Sequence, residues 1–330
     1  MLLARALATS VAVAEGRAQT PDPGLRKLVD AARAEGFATL YAGLTPIQAN
    51  ALATGFSKFY EIPVRIQRLV TGQLTARFAA EQAANANAAD LVIQSDQLFV
   101  TDGARKGWFM QIGRDELPSL RAWPAQSWVQ GCSAPVVLLP WGFTYNTRKL
   151  TGDNQPSSWE DLLKPAYRGQ IILTDPSSTP SLLVNIAFLQ QTFGDDYLRD
   201  FAKQAFTLIP SLVPGLQQLA AGEKTLLVQT VPGADAELIK QGAPLKTVIP
   251  GKHGGFAQYA SVAAKAPHPN AAKLLLDFIL SREGQQILAK DAGYSILGPL
   301  EGSLPGNPFA LIDWEQMMRD RAHLLGLLGL

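Results

Sequence analysis

Short apolar runs alternate with helical patterns along most of this 330-residue chain, and this alternation constrains its fold more than any other feature. Residues 38–41 predict a strand, and residues 46–60 predict a helix with its apolar side chains on one side. A second strand at 64–69, a second helix at 74–84 and a buried strand at 90–93 follow. This βαβαβ order predicts a mainly parallel sheet with helices on both faces.

A second α/β series follows a strand-like segment, residues 136–146, which Pro140 interrupts. We interpret this segment as a crossing between two lobes, with a return strand at 254–263; the alternative is that Pro140 marks only a bulge. Two series joined by two crossings predict an α/β fold of two lobes, with two mixed sheets flanked by helices and joined by hinge strands. The predicted lobes comprise residues 24–138 with 255–298, and residues 139–254 with 299–330.

The first 18 residues have the pattern of a secretory signal peptide. Arg5 precedes a run of small and apolar residues at 6–14, and Gly16-Arg17-Ala18 offers small residues where a signal peptidase cuts. We therefore expect residues 1–18 to be removed and the protein to be periplasmic; the alternatives are a shortened start or a frayed tail. Elsewhere no run of about 18 apolar residues predicts a membrane span. We expect a monomer without membrane insertion.

Charge and composition exclude several classes of function. The formal net charge is +1, which provides no field for holding a nucleic acid. The single Cys132 rules out an internal disulfide and a thiolate zinc cluster. The sequence contains no phosphate-loop, dinucleotide-binding, zinc-protease or serine-hydrolase motif, and only three histidines. We expect a binding protein without catalytic residues or a cofactor, and we assign no metal ligands.

A repeated feature of the chain is a proline at the expected start of a helix that follows a strand. It occurs at Thr45-Pro46, Thr179-Pro180 and Val231-Pro232. Free N–H groups at such helix starts, together with nearby hydroxyls, form neutral donor sites for an anion. In open α/β sheets these loops lie at the carboxyl ends of strands, where ligands bind. The alternative is that they are ordinary helix caps, each worth about 1 kcal/mol to folding.

Four segments resemble the periplasmic binding proteins of the ferric-ion and related ABC importers. They are residues 37–43, 159–171, 268–273 and 281–286, and their order and spacing are similar to those of the family. The resemblance implies a type II periplasmic-binding fold, in which a ligand is captured between the lobes. It also implies delivery of the ligand to an ABC permease and its ATPase.

This sequence lacks most of the iron ligands that the resemblance would imply. The tyrosine pair of ferric members falls in the loop where this chain has Thr230-Val231-Pro232, and their acidic position is met only by Asp96. The small anion that ferric members also hold corresponds to Ser177-Ser178-Thr179. The resemblance therefore implies that the anion-binding part of the site persists without the metal-binding part.

We interpret the chain as the receptor of a small organic anion, of carboxylate or phosphonate type, which the closing lobes enclose. The hydroxyls of Ser177, Ser178 and Thr179 would hold the acid group of the ligand. Trp141 and Tyr145 would form a wall of the binding site. Asp96 would accept a hydrogen bond from the ligand; the alternative is that it caps the following turn. The predicted ligand-binding residues are Thr45, Thr71, Asp96, Gln97, Trp141, Tyr145, Ser177, Ser178, Thr179, Gln229, Thr230 and Tyr259.

Three other interpretations stay open. The first is capture of ferric iron through a different set of oxygen ligands, such as Tyr259 with Asp96 and a synergistic anion. The second is a biosynthetic enzyme built on the same two-lobed fold. The third is a sensory receptor that passes its closed state to a membrane kinase.

Overall fold

The computed structural model of the protein describes residues 23–306, 309 and 311–330. The predicted signal peptide, residues 1–18, lies outside the described residues. In chain order the strands are β1 (Ala38–Ala42), β2 (Val64–Arg68), β3 (Leu91–Gln94), β4 (Ser133–Pro140), β5 (Gly142–Asn146), β6 (Ile171–Thr174), β7 (Thr207–Ile209), β8 (Leu226–Thr230), β9 (Leu245–Val248) and β10 (Gly255–Val262).

The α-helices of the described residues lie between and after these strands. They are α1 (Pro23–Glu35), α2 (Pro46–Tyr60), α3 (Thr71–Ala84), α4 (Gln97–Arg105), α5 (Pro118–Ala122), α6 (Pro180–Ala202), α7 (Leu212–Ala221), α8 (Ala236–Lys240), α9 (Pro269–Leu280), α10 (Arg282–Ala289), α11 (Trp314–Arg319) and α12 (Arg321–Leu327). Short 3₁₀ helices cover Ala125–Ser127, Gly152–Asn154, Glu160–Leu163 and Pro165–Tyr167. No helix within the described ranges is long and apolar enough to cross a bilayer.

The strands form two five-stranded mixed sheets. The first sheet has the order β2-β1-β3-β10-β4, and the second has the order β7-β6-β8-β5-β9. In the first sheet β1 is parallel to β2 and β3, whereas β10 is antiparallel to β3 and β4. In the second sheet β6 is parallel to β7 and β8, whereas β5 is antiparallel to β8 and β9. The prediction of an α/β fold with two mixed sheets is confirmed.

The chain passes between the sheets twice, from β4 to β5 and from β9 to β10. Trp141 separates β4 from β5, so the crossing predicted within residues 136–146 is present. At this crossing a Cβ on Gly142 would lie 2.2 Å from the carbonyl oxygen of Val248. Only glycine leaves room for so close a backbone approach. The lobe boundaries given above stay a prediction.

Apolar packing follows the two sheets. One buried cluster, which includes Leu40 and Ile279, lies with the first sheet, and another, which includes Leu173 and Leu189, lies with the second. Each such side chain contributes about 1.5–3 kcal/mol when it is removed from water. The C-terminal helices α11 and α12 pack against α6, and Trp314 joins the second cluster.

The helix start predicted at Pro232 is wrong. Residues 232–235 form a turn, and α8 covers only Ala236–Lys240. Gly233 has a φ of 76°, which is a left-handed conformation that an α-helix does not contain. The other two proline starts are present, because Pro46 begins α2 and Pro180 begins α6.

Candidate functional site

A cavity of about 400 Å³, here called the interlobe cavity, lies between the two sheets. Its volume falls in the range of about 300–1,000 Å³ that is typical of small-molecule sites. The residues that line it come from both halves of the fold. They are Gly43, Leu44, Thr45, Gln48, Arg68, Val70, Thr71, Gly72, Gln73, Ser95, Leu139, Trp141, Thr174, Ser178, Thr179, Ser181, Leu182, Pro210, Ser211, Leu212, Gln229, Val231, Phe256 and Gln258.

Parallel strands bring these residues together, because their carboxyl ends meet at one edge of each sheet. Gly43 and Ser95 follow β1 and β3, and Arg68 is the last residue of β2. In the second sheet Thr174 ends β6, and Gln229 lies at the end of β8. The cavity therefore occupies the position where open α/β sheets bind ligands.

Thr45 and Thr71 place hydroxyl groups on the side of the first sheet. The Thr45 hydroxyl accepts the backbone N–H of Gln48 at 3.3 Å and donates to Gln48 Oε1 at 3.0 Å, which makes a capping box at the start of α2. One lone pair of this hydroxyl stays free for a ligand donor. The Thr71 hydroxyl lies 3.0 Å from that of Ser95. Both threonines thus line the cavity from fixed positions.

On the side of the second sheet, α6 begins at the cavity. Thr179 occupies its N-cap position without a side-chain cap bond, and its hydroxyl lies 3.2 Å from that of Ser181. The Ser178 hydroxyl donates to the carbonyl oxygen of Asp175 at 2.7 Å. A helix start carries a partial positive charge and N–H groups without intrahelical partners, so it attracts anions. Hydroxyls and amide donors are therefore concentrated at this wall.

Arg68 is the one charged residue among the described residues that line the interlobe cavity. Its Nε–H donates to the carbonyl oxygen of Leu44 at 3.0 Å, which anchors the guanidinium at the end of β2. The other guanidinium nitrogens have no protein partner within the described part of the chain. Since arginine stays protonated at all physiological pH values, the cavity wall carries one permanent positive charge.

Aromatic and amide side chains complete the wall. The rings of Trp141 and Phe256 lie 4.6 Å apart between centroids, and Trp141 Nε1 has no acceptor among the described residues. Gln229 and Gln258 are 0% and 3% exposed, and within the same part of the chain the Oε1 atom of each is buried without a donor. The Thr174 hydroxyl is likewise buried without a partner there. Buried polar atoms of this kind call for an explanation, such as a water molecule or a ligand.

Half of the predicted ligand-binding residues line the interlobe cavity. These are Thr45, Thr71, Trp141, Ser178, Thr179 and Gln229. Their roles toward a ligand stay predictions, but the structure brings them to one place from distant parts of the sequence.

The structure places Asp96, Gln97 and Ser177 outside the lining. Asp96 is the N-cap of α4, where its carboxylate accepts the N–H groups of Leu98 at 2.9 Å and Phe99 at 3.1 Å. Burial raises the pKa of Asp96 above its usual range, although these two bonds act in the opposite direction. Gln97 is the first residue of α4, and Ser177 is exposed beside the lining residue Ser178. The contacts of Asp96 are therefore those of a helix cap, which is the alternative interpretation given by the sequence.

Tyr145, Thr230 and Tyr259 also lie away from the lining. Tyr145 is 1% exposed within the apolar cluster of the second sheet. The Thr230 hydroxyl accepts from the hydroxyl of Thr144 at 3.0 Å inside that sheet. Tyr259 packs with Val100, away from the neighbouring lining residue Gln258, and burial raises its pKa. Strand geometry accounts for the position of Thr230 and Tyr259 beside the lining residues Gln229 and Gln258, since successive side chains point to opposite faces of a sheet.

Sequence reasoning missed several lining residues, and Arg68 is the most important of them. Arg68 is the last residue of β2, and Thr71, three residues later, is predicted to bind the ligand. The same rule, that residues at the carboxyl ends of parallel strands form the site, would have included Arg68. Thr174 carried the same signal at the end of β6. Gln258, in contrast, lies in the middle of an apolar strand, and no local pattern distinguishes its side chain from that of its neighbours.

Metal-binding groups are sparse in the described part of the protein. We find there no cluster of three or more histidine, cysteine, aspartate or glutamate side chains that could hold a metal ion. The two side chains proposed for the iron alternative, Asp96 and Tyr259, do not line the interlobe cavity.

Two mixed sheets joined by two crossings, with a cavity between them, define the class of two-lobed solute-binding proteins. Residues 86–319 match the family of bacterial extracellular solute-binding proteins, and the chain belongs to this family. The resemblance to periplasmic binding proteins is confirmed, and with it the type II fold.

Solved structures share this fold. AfuA of Actinobacillus pleuropneumoniae, a periplasmic binding protein with fructose 6-phosphate bound, is 24% identical, with a TM-score of 0.70 and coverage of 88% of this chain and 97% of that one. Iron-bound HitA of Pseudomonas aeruginosa is 19% identical, with a TM-score of 0.67 and coverage of 88% and 98%. The substrate-binding protein of an ABC transporter from Agrobacterium tumefaciens is 17% identical, with a TM-score of 0.75 and coverage of 88% and 94%.

Curated relatives match part of the sequence. A protein of Haemophilus influenzae, described as uncharacterized, is 29% identical over 164 residues, which is 45% of this chain and 45% of that protein. The match thus spans less than half of the length of that relative.

Proposed function

We propose that this solute-binding protein captures a small organic anion, of carboxylate or phosphonate type, in the periplasm and delivers it to an ABC permease and its ATPase. The observation that carries this proposal is Arg68, the one charged residue among the described residues that line the interlobe cavity. Its planar guanidinium matches the geometry of carboxylate and phosphonate oxygens, with which it forms paired, charge-assisted hydrogen bonds.

The start of α6 supports the same proposal from the opposite wall. The N–H groups at this helix start have no side-chain cap, and the hydroxyl pair of Thr179 and Ser181 keeps one proton that it does not use internally; both are donors that suit an acid group. No aspartate or glutamate is found among the described lining residues to repel it. A cation or a hydrophobic molecule would leave this set of donors without acceptors.

Capture would work through closure of the lobes. The walls approach each other where Gly72, beside the first sheet, meets Thr179, beside the second. A ligand that bonds to Arg68 and to the start of α6 contacts both walls and so binds the closed arrangement better than an open one. This differential affinity shifts the population toward the closed state, which the permease would recognise.

The positions of Asp96 and Tyr259, the two side chains proposed as iron ligands, favour an anion over ferric iron as the ligand, because neither residue lines the interlobe cavity. Asp96 is occupied by two backbone N–H groups as the cap of α4, and Tyr259 packs among apolar side chains. Members of this family and the similar solved structures are binding proteins, which supports capture rather than turnover.

Isothermal titration of ligand-stripped protein against a panel of small carboxylates, phosphonates and phosphates tests the proposal. At least one member should bind, and Arg68→Gln should weaken it by about 10- to 100-fold, because a hydrogen bond to a charged group is worth about 1.5–3 kcal/mol. Arg282→Gln is the matched control, since Arg282 is exposed at the start of α10 and does not line the cavity. Failure of every anion to bind, or equal affinity in the Arg68 variant, would contradict the proposal.

Transport is tested separately from binding. A strain that lacks the protein should lose uptake of the radiolabelled anion found by titration, and the wild-type gene should restore it. Normal uptake in that strain would favour the sensory interpretation instead.

A further inference from the structure

Apolar side chains from both halves of the fold meet at the interlobe cavity. Leu139 and Phe256 are paired residues of β4 and β10, and Trp141 follows β4 at the first crossing. Leu182 belongs to α6, and Val231 follows β8. All five residues line the cavity, and each belongs to or packs against the same apolar cluster. The cavity therefore has an apolar region that no single segment of the chain provides.

This apolar region lies where the two crossings are joined. The backbone N–H of Trp141, in the first crossing, donates to the carbonyl oxygen of Gly254, in the second, at 2.9 Å. The rings of Trp141 and Phe256 are tilted by 36° with their centroids 4.6 Å apart. Both residues are buried, so they support the wall from behind and provide only a small part of its accessible surface.

Three other apolar side chains keep surface that solvent can reach. Leu182 and Leu212 pack against the cluster but are only half-buried, and Val70 is 40% exposed. All three line the cavity, and apolar atoms make up the larger part of its accessible wall. Removal of apolar surface from water is favourable and needs no directional contact. A hydrocarbon group in the cavity would therefore be stabilised by covering these side chains.

Polar side chains of the lining have partners within the protein. The Thr45 hydroxyl belongs to the capping box of α2, and the hydroxyls of Thr71 and Ser95 lie 3.0 Å apart. The amide nitrogens of Gln229 and Gln258 donate to backbone carbonyl groups, and their amide oxygens are buried from solvent. A ligand with many hydroxyl groups would thus lose its bonds to water without gaining an equal number from this wall.

The accessible apolar side chains adjoin the groups proposed to hold the acid group. Leu182 is the third residue of α6, directly after Ser181, so it lies in the first turn of the helix whose start attracts an anion. On the wall of the first sheet, Val70 follows Arg68 by two residues. The carbon skeleton of an acid bound at these donors therefore begins beside apolar side chains.

We infer that the ligand is an anion with a hydrocarbon body, in which a carboxylate or phosphonate is attached to an aliphatic or aromatic group, and that Leu182 and Leu212 determine specificity by covering this body. The inference rests on the proposed function, and it narrows the class of anion. The acid group supplies acceptors to Arg68 and the start of α6, and the hydrocarbon body covers the accessible apolar surface. Such a ligand matches both parts of the wall.

Two series of anions test the inference on the unmodified protein. Acetate, butanoate and hexanoate share a carboxylate and differ only in their hydrocarbon part, and methyl-, butyl- and phenylphosphonate do the same for a phosphonate. Titration calorimetry, with displacement titrations for the weak members, should show the affinity rising about three- to fourfold for each buried CH₂ group in at least one series. The series that responds distinguishes a carboxylate from a phosphonate ligand.

Hydroxylated counterparts provide the matched comparison. Gluconate has the chain length of hexanoate, and 3,4-dihydroxybutylphosphonate has that of butylphosphonate. In the series that responds, the hydroxylated anion should bind at least about tenfold more weakly than its hydrocarbon partner, because its hydroxyl groups must leave water for an apolar wall.

Leu182→Ala and Leu212→Ala then locate the effect. Each substitution removes part of the apolar wall, so the ratio of the affinity for the longest member to that for the shortest should fall about three- to tenfold. The negative heat-capacity change of binding, which reports apolar burial, should become smaller in magnitude. Leu238→Ala is the matched control, since Leu238 is a half-buried leucine of α8 outside the lining. Circular dichroism verifies the fold of each variant, and the series on the unmodified protein stand even if one does not fold.

The outcomes separate the two proposals. Affinity that stays constant or falls along both series would overturn the inference and leave anion capture intact, and so would tighter binding of the hydroxylated counterpart. Capture of another anion while no member of either series binds would do the same. An equal loss of affinity for short and long members in the leucine variants would assign both leucines a structural role and overturn their part in specificity. If no anion binds at all, the proposed function fails and the inference fails with it.

Discussion

Gly72 and Thr179 lie against each other across the interlobe cavity: a Cβ on Gly72 would lie 3.3 Å from Cγ2 of Thr179. Gly72 is the second residue of α3, beside the first sheet, and Thr179 precedes α6, beside the second. Such a distance would be shorter than an ordinary carbon–carbon contact of about 3.5–4.0 Å. A side chain larger than hydrogen at position 72 therefore has little room where the two walls come together.

A bulky residue at this point should block closure. Gly72→Phe is expected to weaken binding of the anion by at least about tenfold, because the competent closed state becomes a minor population and the apparent affinity falls by that fraction. Small-angle scattering should then show no compaction when the anion is added. Gly326→Phe is the matched control, since a Cβ at this exposed position of α12 meets nothing within 4 Å. Unchanged affinity in Gly72→Phe would show that closure does not pass through this contact.

Thr45 should act first as a helix cap. Its hydroxyl completes the capping box with Gln48, so Thr45→Ala is expected to lower the free energy of unfolding by about 0.5–2 kcal/mol in urea titrations. Thr45→Ser keeps the hydroxyl and should retain most of this stability. If the alanine variant were as stable as the wild type, the cap would contribute nothing and the hydroxyl would have to be explained by the ligand alone.

Asp96 makes a prediction about pH. Burial raises the pKa of Asp96 in the folded state, so the folded protein holds this proton more tightly than the unfolded chain does. Stability linked to this group is consequently greatest below the unfolded pKa and falls as the pH rises through the folded pKa. Asp96→Asn keeps a capping oxygen without the charge, so this part of the fall in stability should disappear from urea midpoints measured between pH 3 and pH 7.

A second property of the same variant separates a cap from a ligand contact. Asp96→Asn should bind the anion as the wild type does, because the carboxylate faces the N–H groups of Leu98 and Phe99 and does not line the cavity. Asp96→Ala should lose about 0.5–2 kcal/mol of stability with the cap. A large loss of affinity in Asp96→Asn would restore the ligand role that the sequence suggested.

The sequence predicts the two sheets and the crossing at residues 136–146 because periodicity and proline placement are local signals. It also places Thr71 and Gln229 at the site, since residues after parallel strands gather at one edge of a sheet. Predicted residues lie outside the cavity lining where the face of a strand decides which way a side chain points. Tyr145 and Thr230 lie in strands buried on both faces, so no alternation of apolar and polar residues indicates which side chains point toward the cavity.

Other lining residues depend on long-range register, which a single sequence does not reveal. Gln258 precedes a register shift, and Tyr259 after it packs on the other side of the sheet. In the sequence, Arg68 has the pattern of an ordinary exposed residue at the end of a strand, which the structure shows to be the edge strand β2. Only the fold shows that it faces a cavity whose other wall comes from the second sheet. The positive charge of the cavity wall therefore cannot be predicted from the local sequence around Arg68, because it depends on how the two lobes are assembled.

The loop before α6 is tethered by the C-terminal end of the chain. Arg321, the first residue of α12, donates from its guanidinium to the carbonyl oxygen of Ser177 at 3.2 Å. This bond fixes the segment that presents Ser178 and Thr179 to the cavity, although Arg321 itself lies outside the lining. Since one hydrogen bond is worth about 0.5–1.5 kcal/mol, Arg321→Ala should weaken anion binding by about 2- to 10-fold.

The matched control for this tether is Arg319→Ala, because Arg319 bonds only to Gln316 of its own helix in the described structure. Both variants remove a guanidinium, exposed at Arg319 and half-buried at Arg321, from neighbouring helices, so a difference between them isolates the bond to Ser177. Titration calorimetry at two salt concentrations measures it: a positioning effect of Arg321 should persist at high salt, whereas a general loss of positive charge should be screened in both variants alike. Equal affinities of the two variants would show that the loop holds its position without the tether.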